Sequence, residues 1–208
     1  MMDWTAYWAR TWEQVCLPVS PEPALAGLLA RYREPQRHYH TLQHLQECLA
    51  AFDLLRDQAV RPGEIELAIW FHDAVYAPQR RDNEALNAEL AVDCLRQIGA
   101  GDAVVERVRD MILATQHHDA GDDGDCAILL DVDLAILGAA PTRFAEYEAQ
   151  IRAEYAHVPD EAYRVGRGRV LAGFLARPRL YRTDLFFERH EQRARRNLGR
   201  DSVIDHGR

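Results

Sequence analysis

Two of the most hydrophilic side chains available, His72 and Asp73, stand back to back in the apolar run AIWFHDAVY, residues 68–76. An uncompensated charge in such surroundings costs several kcal/mol or more, so the pair demands partners. A divalent cation would satisfy an imidazole and a carboxylate together, provided further nitrogen or oxygen donors arrive from elsewhere. The segment HYHTLQH, residues 38–44, offers His40 and His44 four positions apart, on one face if the segment is helical. LLDVDL, residues 129–134, offers Asp131 and Asp133 in a second apolar run. Helical residues two apart point about 200° away from each other, so only one of these carboxylates can face a single ion. Arg37, Arg80 and Arg81 flank the motifs, Glu84 follows in RRDNEAL, and His117 and His118 stand side by side further on.

These groups must be carried by helices. Apolar residues recur with helical spacing nearly everywhere, and no alternating run is long enough to build a sheet, so the expected class is all-α with about eight to ten helices. Asp3 is placed to cap a first helix with the stripe Trp4, Trp8, Trp12 and Val15, and Ser20 with the following prolines to start a second. A third runs from about Thr41 to Asp57. The fourth, apolar all round from Leu67 to Tyr76, has the pattern of a helix buried at a domain centre. Asp82 and Asp102 are expected to cap the fifth and sixth, and Asp125 to begin a seventh that ends at Gly138. Three more follow: Pro141 to about Tyr155, Asp160 to Ala176, and Thr183 to Gly199. Imidazolium at the end of the sixth helix suits its dipole, and His118 continues the core-facing stripe of Val104, Val108, Met111 and Thr115.

With 208 residues the chain is expected to form a single domain over residues 1–200, its motifs within 37–138, helices 141–199 packed on them, and a tail from 201. Every one of the 25 basic residues is Arg, yet the formal net charge is −8, which argues against a nucleic-acid partner and leaves a small anionic substrate possible through a few local Arg side chains. No apolar stretch approaches a membrane span and the first residues lack the layout of a signal peptide, so no membrane partner and a cytoplasmic location are expected. The four cysteines, at 16, 48, 94 and 126, form no close pair and read as small core residues. The acidic loop DAGDDGD, from Asp119, places Leu130 where a calcium-binding loop needs a bidentate Glu, so it reads as a solvated turn.

A His, then His-Asp, then a distant Asp is the ligand order of the HD superfamily of metal-dependent phosphohydrolases, which the sequence resembles from Arg37 to Gly138. IRAEY from Ile151, FLARPRLY from Phe174 and ARRNL from Ala194 are similar to a bacterial branch of predicted HD phosphohydrolases. The resemblance implies a compact HD-domain helical bundle in which His44, His72, Asp73 and Asp133 hold one divalent ion: manganese, cobalt, nickel, iron, zinc or magnesium. Asp133 is preferred to Asp131 because LAILG follows it as in the family. The implied reaction is hydrolysis of a small phosphorylated metabolite, most simply a nucleotide, by metal-activated water. His40 resembles the general acid of the YHN segment in cyclic-nucleotide phosphodiesterases of this superfamily, although the segment here is YHT. Glu84 is placed to orient water, His118 to contact substrate, and Arg37, Arg80 and Arg81 to bind phosphate. Two other readings are a metal-binding regulatory module without turnover and a di-iron oxygenase. The latter needs more His ligands than the chain offers between Asp73 and Asp133.

Overall fold

The computed structural model describes residues 2–15 and 22–203, and among them are ten α-helices and no strand. The expected cap at Ser20 and the end of the expected tail, from 204, lie outside the described residues. The chain divides into two compact units, Met1–Val132 and Asp133–Arg208. No helix of the described residues is long and apolar enough to cross a membrane.

The first unit is organised around α4 (Pro62–Phe71), buried on every side from Gly63 onward. Helix α1 (Trp4–Val15) begins where the Ala6 N–H donates to the Asp3 carboxylate at 3.0 Å. Its stripe packs on α4, with Trp8 and Trp70 edge to face at 5.2 Å between ring centroids. The Trp70 indole N–H donates to the Thr11 hydroxyl at 3.0 Å. Two acidic residues inside α4 are held by cations from neighbouring helices. Glu66, fully buried, pairs with Arg10 and Arg56, and Glu64 takes both nitrogens of the Arg107 fork at 2.6 and 2.7 Å. Such pairing is what allows carboxylates to be buried at all.

Helix α2 (Glu22–Arg31) precedes α3 (Leu42–Asp53), which Thr41 caps by accepting the Gln43 N–H. Helix α3 ends four residues before the expected Asp57, and a 3₁₀ turn at Arg56–Gln58 follows. Helix α5 (Asn83–Gln97) and α6 (Asp102–Ala114) pack on each other and on α4. Three expected caps are used differently. The Asp82 carboxylate is taken by the Arg80 fork at 2.8 and 2.7 Å, Gly101 rather than Asp102 stands at the N-cap of α6, and α7 (Gly124–Asp133) starts before Asp125. The Asp125 carboxylate reaches back to the N–H groups of Val60 and Arg61 at 2.8 and 2.9 Å, supplying acceptors just ahead of α4.

The second unit has a 3₁₀ turn at Leu134–Gly138, then α8 (Pro141–Glu154), α9 (Asp160–Leu175) and α10 (Asp184–Val203). Its interior is tied to that turn. Asn197 donates to the carbonyls of Leu137 and Ala139, Arg193 to that of Gly138, and the Tyr181 hydroxyl to that of Leu134. Gly138 is required there, because a Cβ would meet the His190 Cβ at 2.6 Å.

Candidate metal centre

Helix α4 stops at Phe71, so the two residues that opened the sequence problem lie at its end: His72 is the C-cap and Asp73 sits in the turn beyond. They were expected within the helix, where their directions would differ by about 100°. In the turn they converge instead. His72 Nε2 lies 3.1 Å from Asp73 Oδ2, and His44 Nε2, from the first turn of α3, lies 3.2 Å from each of those two atoms. An ion about 2.0–2.2 Å from each of two donors sets them about 2.8–3.6 Å apart between right-angled and tetrahedral geometry, so the triangle has the size of a metal's ligand face.

The His72 ring is oriented from behind. Its Nδ1 is 2.8 Å from the Ile69 carbonyl, which only accepts, so the proton belongs on Nδ1 and the Nε2 lone pair points into the triangle. Burial alone would push the Asp73 carboxyl up. The His72 and His40 imidazoles and hydrogen bonds from His44 and His72 outweigh it and hold Asp73 well below the usual carboxylate range. His44 and His72 are each 2% exposed whereas the Asp73 side chain is 19% exposed, so solvent enters on the carboxylate side.

Asp133, the last residue of α7, belongs to a group with His44, His72 and Cys48 whose ligand atoms all lie within 4.8 Å of one another, and this group could hold a metal ion. Asp131 is buried on the same helix and is not a member of the group. Cys48 had read as a small core residue. The signal for it was its place four residues after His44, the same one-turn spacing that linked His40 to His44.

The turn that carries His72 and Asp73 is clamped from two sides. Asn87, fully buried on α5, donates to the carbonyls of His72 and Val75 at 2.5 and 3.0 Å and accepts the Val75 N–H at 2.6 Å. Arg37 donates to the carbonyls of Asp73, Ala74 and His40 at 2.6, 2.8 and 3.1 Å, and its Nε donates to Glu34 at 3.1 Å. Every nitrogen of the Arg37 guanidinium is thus engaged, so this residue holds the turn where a phosphate contact was expected. Asn87 had not been singled out, because an Asn inside a helix reads as an ordinary polar position.

The other expected residues are distributed around this centre. His40 is half-buried and stacks on Tyr76 with 3.8 Å between ring centroids, 5.8 Å from the His44 ring. Glu84 is half-buried in the first turn of α5. Arg80 and Arg81 are exposed, the former paired with Asp82. Helix α6 stops at Ala114, so His117 and His118 lie beyond it. His118 is half-buried with φ of +50°, a left-handed conformation uncommon outside glycine.

No protein-family model matches the chain, and no curated protein and no solved structure is similar to it. What the site could do chemically therefore rests on its residues. Two imidazoles and two carboxylates, with a thiol adjoining, form a donor set suited to a borderline divalent ion.

Proposed function

We propose that the protein is a metal-dependent phosphohydrolase acting on a small phosphorylated metabolite, most simply a nucleotide. The observation that carries this reading is the triangle of His44 Nε2, His72 Nε2 and Asp73 Oδ2, with edges of 3.1–3.2 Å and one side reached by solvent. His44, His72, Asp73 and Asp133 would hold one divalent ion, the two carboxylates balancing its charge. Such an ion supplies Lewis acidity toward a phosphoryl oxygen and a water of lowered pKa.

The chain's own residues do the rest. His40, kept in place by its stack on Tyr76, protonates the departing oxygen. Glu84 orients the attacking water, and His118 contacts the substrate. Arg81 and Arg80 offer exposed positive charge to the phosphate, with Arg80 the weaker because Asp82 already occupies its fork. Arg37 and Asn87 position the ligand turn without touching substrate. The acidic chain as a whole repels a long polyanion, while these few cations suit one or two phosphates.

A hydrolysis screen of nucleotides, alarmones and an activated aryl phosphate on metal-reconstituted protein tests the reading. The expected result is turnover that stops on chelation and returns with metal. Protein carrying one equivalent of metal that hydrolyses none of these would refute it in favour of a binding module.

A further inference from the structure

We propose that Cys48 is itself a ligand of the ion, so that the site prefers zinc, cobalt or iron(II) to magnesium or manganese. This rests on the metal-dependent reading above and extends it to the choice of metal. Burial of Cys48 decides nothing alone, because free cysteine is among the most buried residue types. Its position relative to the other donors does. His44 and Cys48 are one turn apart on α3 and share a face, a spacing that lets one helix chelate one ion. The remaining buried positions of α3, Leu45, Leu49 and Phe52, are fully enclosed apolar residues, so the His44 and Cys48 side chains are the polar exceptions of its buried face.

The separations fit coordination. Cys48 Sγ lies 3.6 Å from His44 Nδ1 and 3.7 Å from His44 Nε2. A sulfur about 2.3 Å and a nitrogen about 2.0–2.1 Å from one tetrahedral ion stand about 3.5–3.6 Å apart. The same thiol lies within 4.8 Å of the ligand atoms of His72 and Asp133, which arrive from two other helices. Two imidazoles, one thiolate and one carboxylate make a neutral four-donor set around a divalent ion. Asp73 Oδ2, 3.1 Å from His72 Nε2 on the more exposed side, is then available as a fifth donor or as the acceptor for a water. Coordination forms a sulfur–metal bond and releases the thiol proton to solvent. A soft thiolate disfavours magnesium and manganese, which prefer oxygen donors, and favours zinc, cobalt and iron.

The test uses the full chain stripped of metal and reloaded with one equivalent of cobalt(II). The expected spectrum has visible ligand-field bands together with a near-ultraviolet thiolate-to-cobalt charge-transfer band. Cys48→Ser should lose the charge-transfer band and keep bound cobalt, while Cys94→Ser and Cys126→Ser keep both. X-ray absorption of the zinc-loaded wild type should show one sulfur at about 2.3 Å. This second measurement needs no variant and holds if Cys48→Ser fails to fold. Cobalt bound by the wild type without the band, or a band that survives Cys48→Ser, overturns the role of Cys48 and leaves the metal site standing. No cobalt bound at all overturns both.

Discussion

Asn87→Asp tests most directly how the ligand turn is held. The substitution keeps the shape of a fully buried side chain, so no cavity opens, and it keeps an oxygen for the Val75 N–H now accepted at 2.6 Å. It removes both N–H donors. The carbonyls of His72 and Val75, now served at 2.5 and 3.0 Å, would face a carboxylate oxygen instead. Leaving a buried acceptor without its donor costs about 1–3 kcal/mol, and His72 is buried enough for the upper part of that range. Val75 is half-buried and water recovers part of its loss, which brings the sum to about 3–4 kcal/mol. Against a total of about 5–15 kcal/mol for a folded domain, the variant survives but unfolds at clearly lower urea concentration. Because the freed carbonyl belongs to a ligand residue, metal affinity should fall by about 10–100-fold. Asn83→Ala is the control. Asn83 holds Ala77 by two bonds of 3.1 and 3.0 Å, but the site is half-buried and outside the ligand turn, so it should cost about 1 kcal/mol and leave metal affinity unchanged. Urea unfolding of the metal-free proteins at pH 8, followed by titration calorimetry with zinc, measures both quantities. An Asn87→Asp protein as stable as Asn83→Ala, or one that binds zinc like the wild type, would refute the idea that the turn depends on this clamp.

Asp133→Asn should abolish metal binding while Asp131→Asn weakens it at most about 10–100-fold, as read by elemental analysis after dialysis; the opposite ranking would make Asp131 the ligand. His40→Ala should slow hydrolysis of a nucleotide about 10²–10⁴-fold with bound metal unchanged, and slow an activated aryl phosphate much less, since that leaving group needs no proton. Equal loss on both substrates would exclude the acid role. Tyr32 is buried with its hydroxyl donating to the Trp70 carbonyl at 3.2 Å, and burial pushes its pKa up to about 12. The folded pKa lies above the unfolded one, so its contribution is complete below about pH 10 and is lost as pH rises toward 12, about 2–3 kcal/mol in all. Urea midpoints at pH 9 and 11.5 should therefore diverge in the wild type, and Tyr32→Phe should narrow the gap.

The helices were legible because their signals are local and redundant. The Trp4, Trp8, Trp12 stripe, the caps at Asp3 and Thr41, and the unbroken apolar run of α4 each point to the same element, and each is found. What sequence could not assign was the destination of side chains with more than one available partner. Asp82, Asp102 and Asp125 all have the composition of N-caps, yet Asp82 is captured by an adjacent Arg fork and Asp125 by backbone N–H groups more than sixty residues away. Arg37 was placed by sequence near the site with its target open, and the target is backbone. The end of α4 was misplaced for a related reason. Apolar residues continue past Phe71 because the turn after it is buried as well, so hydrophobicity gives no sign of where the helix stops.

That helix end explains why the site's parts are spread over the chain as they are. Within a helix, His72 and Asp73 would diverge, whereas a turn lets an imidazole and a carboxylate from adjacent residues meet at 3.1 Å. The same turn exposes carbonyls that have no helical partner, and in a buried setting each must be given a donor. Asn87 supplies one for His72, and Arg37 supplies those for Asp73 and Ala74. Arg37 also donates to the carbonyl of His40, so one guanidinium joins the segment leading into α3 to the turn that ends α4. The distance between His44 and the His72–Asp73 pair is therefore fixed by hydrogen bonds to backbone behind the ligands, and donors can converge without depending on an ion to draw them together.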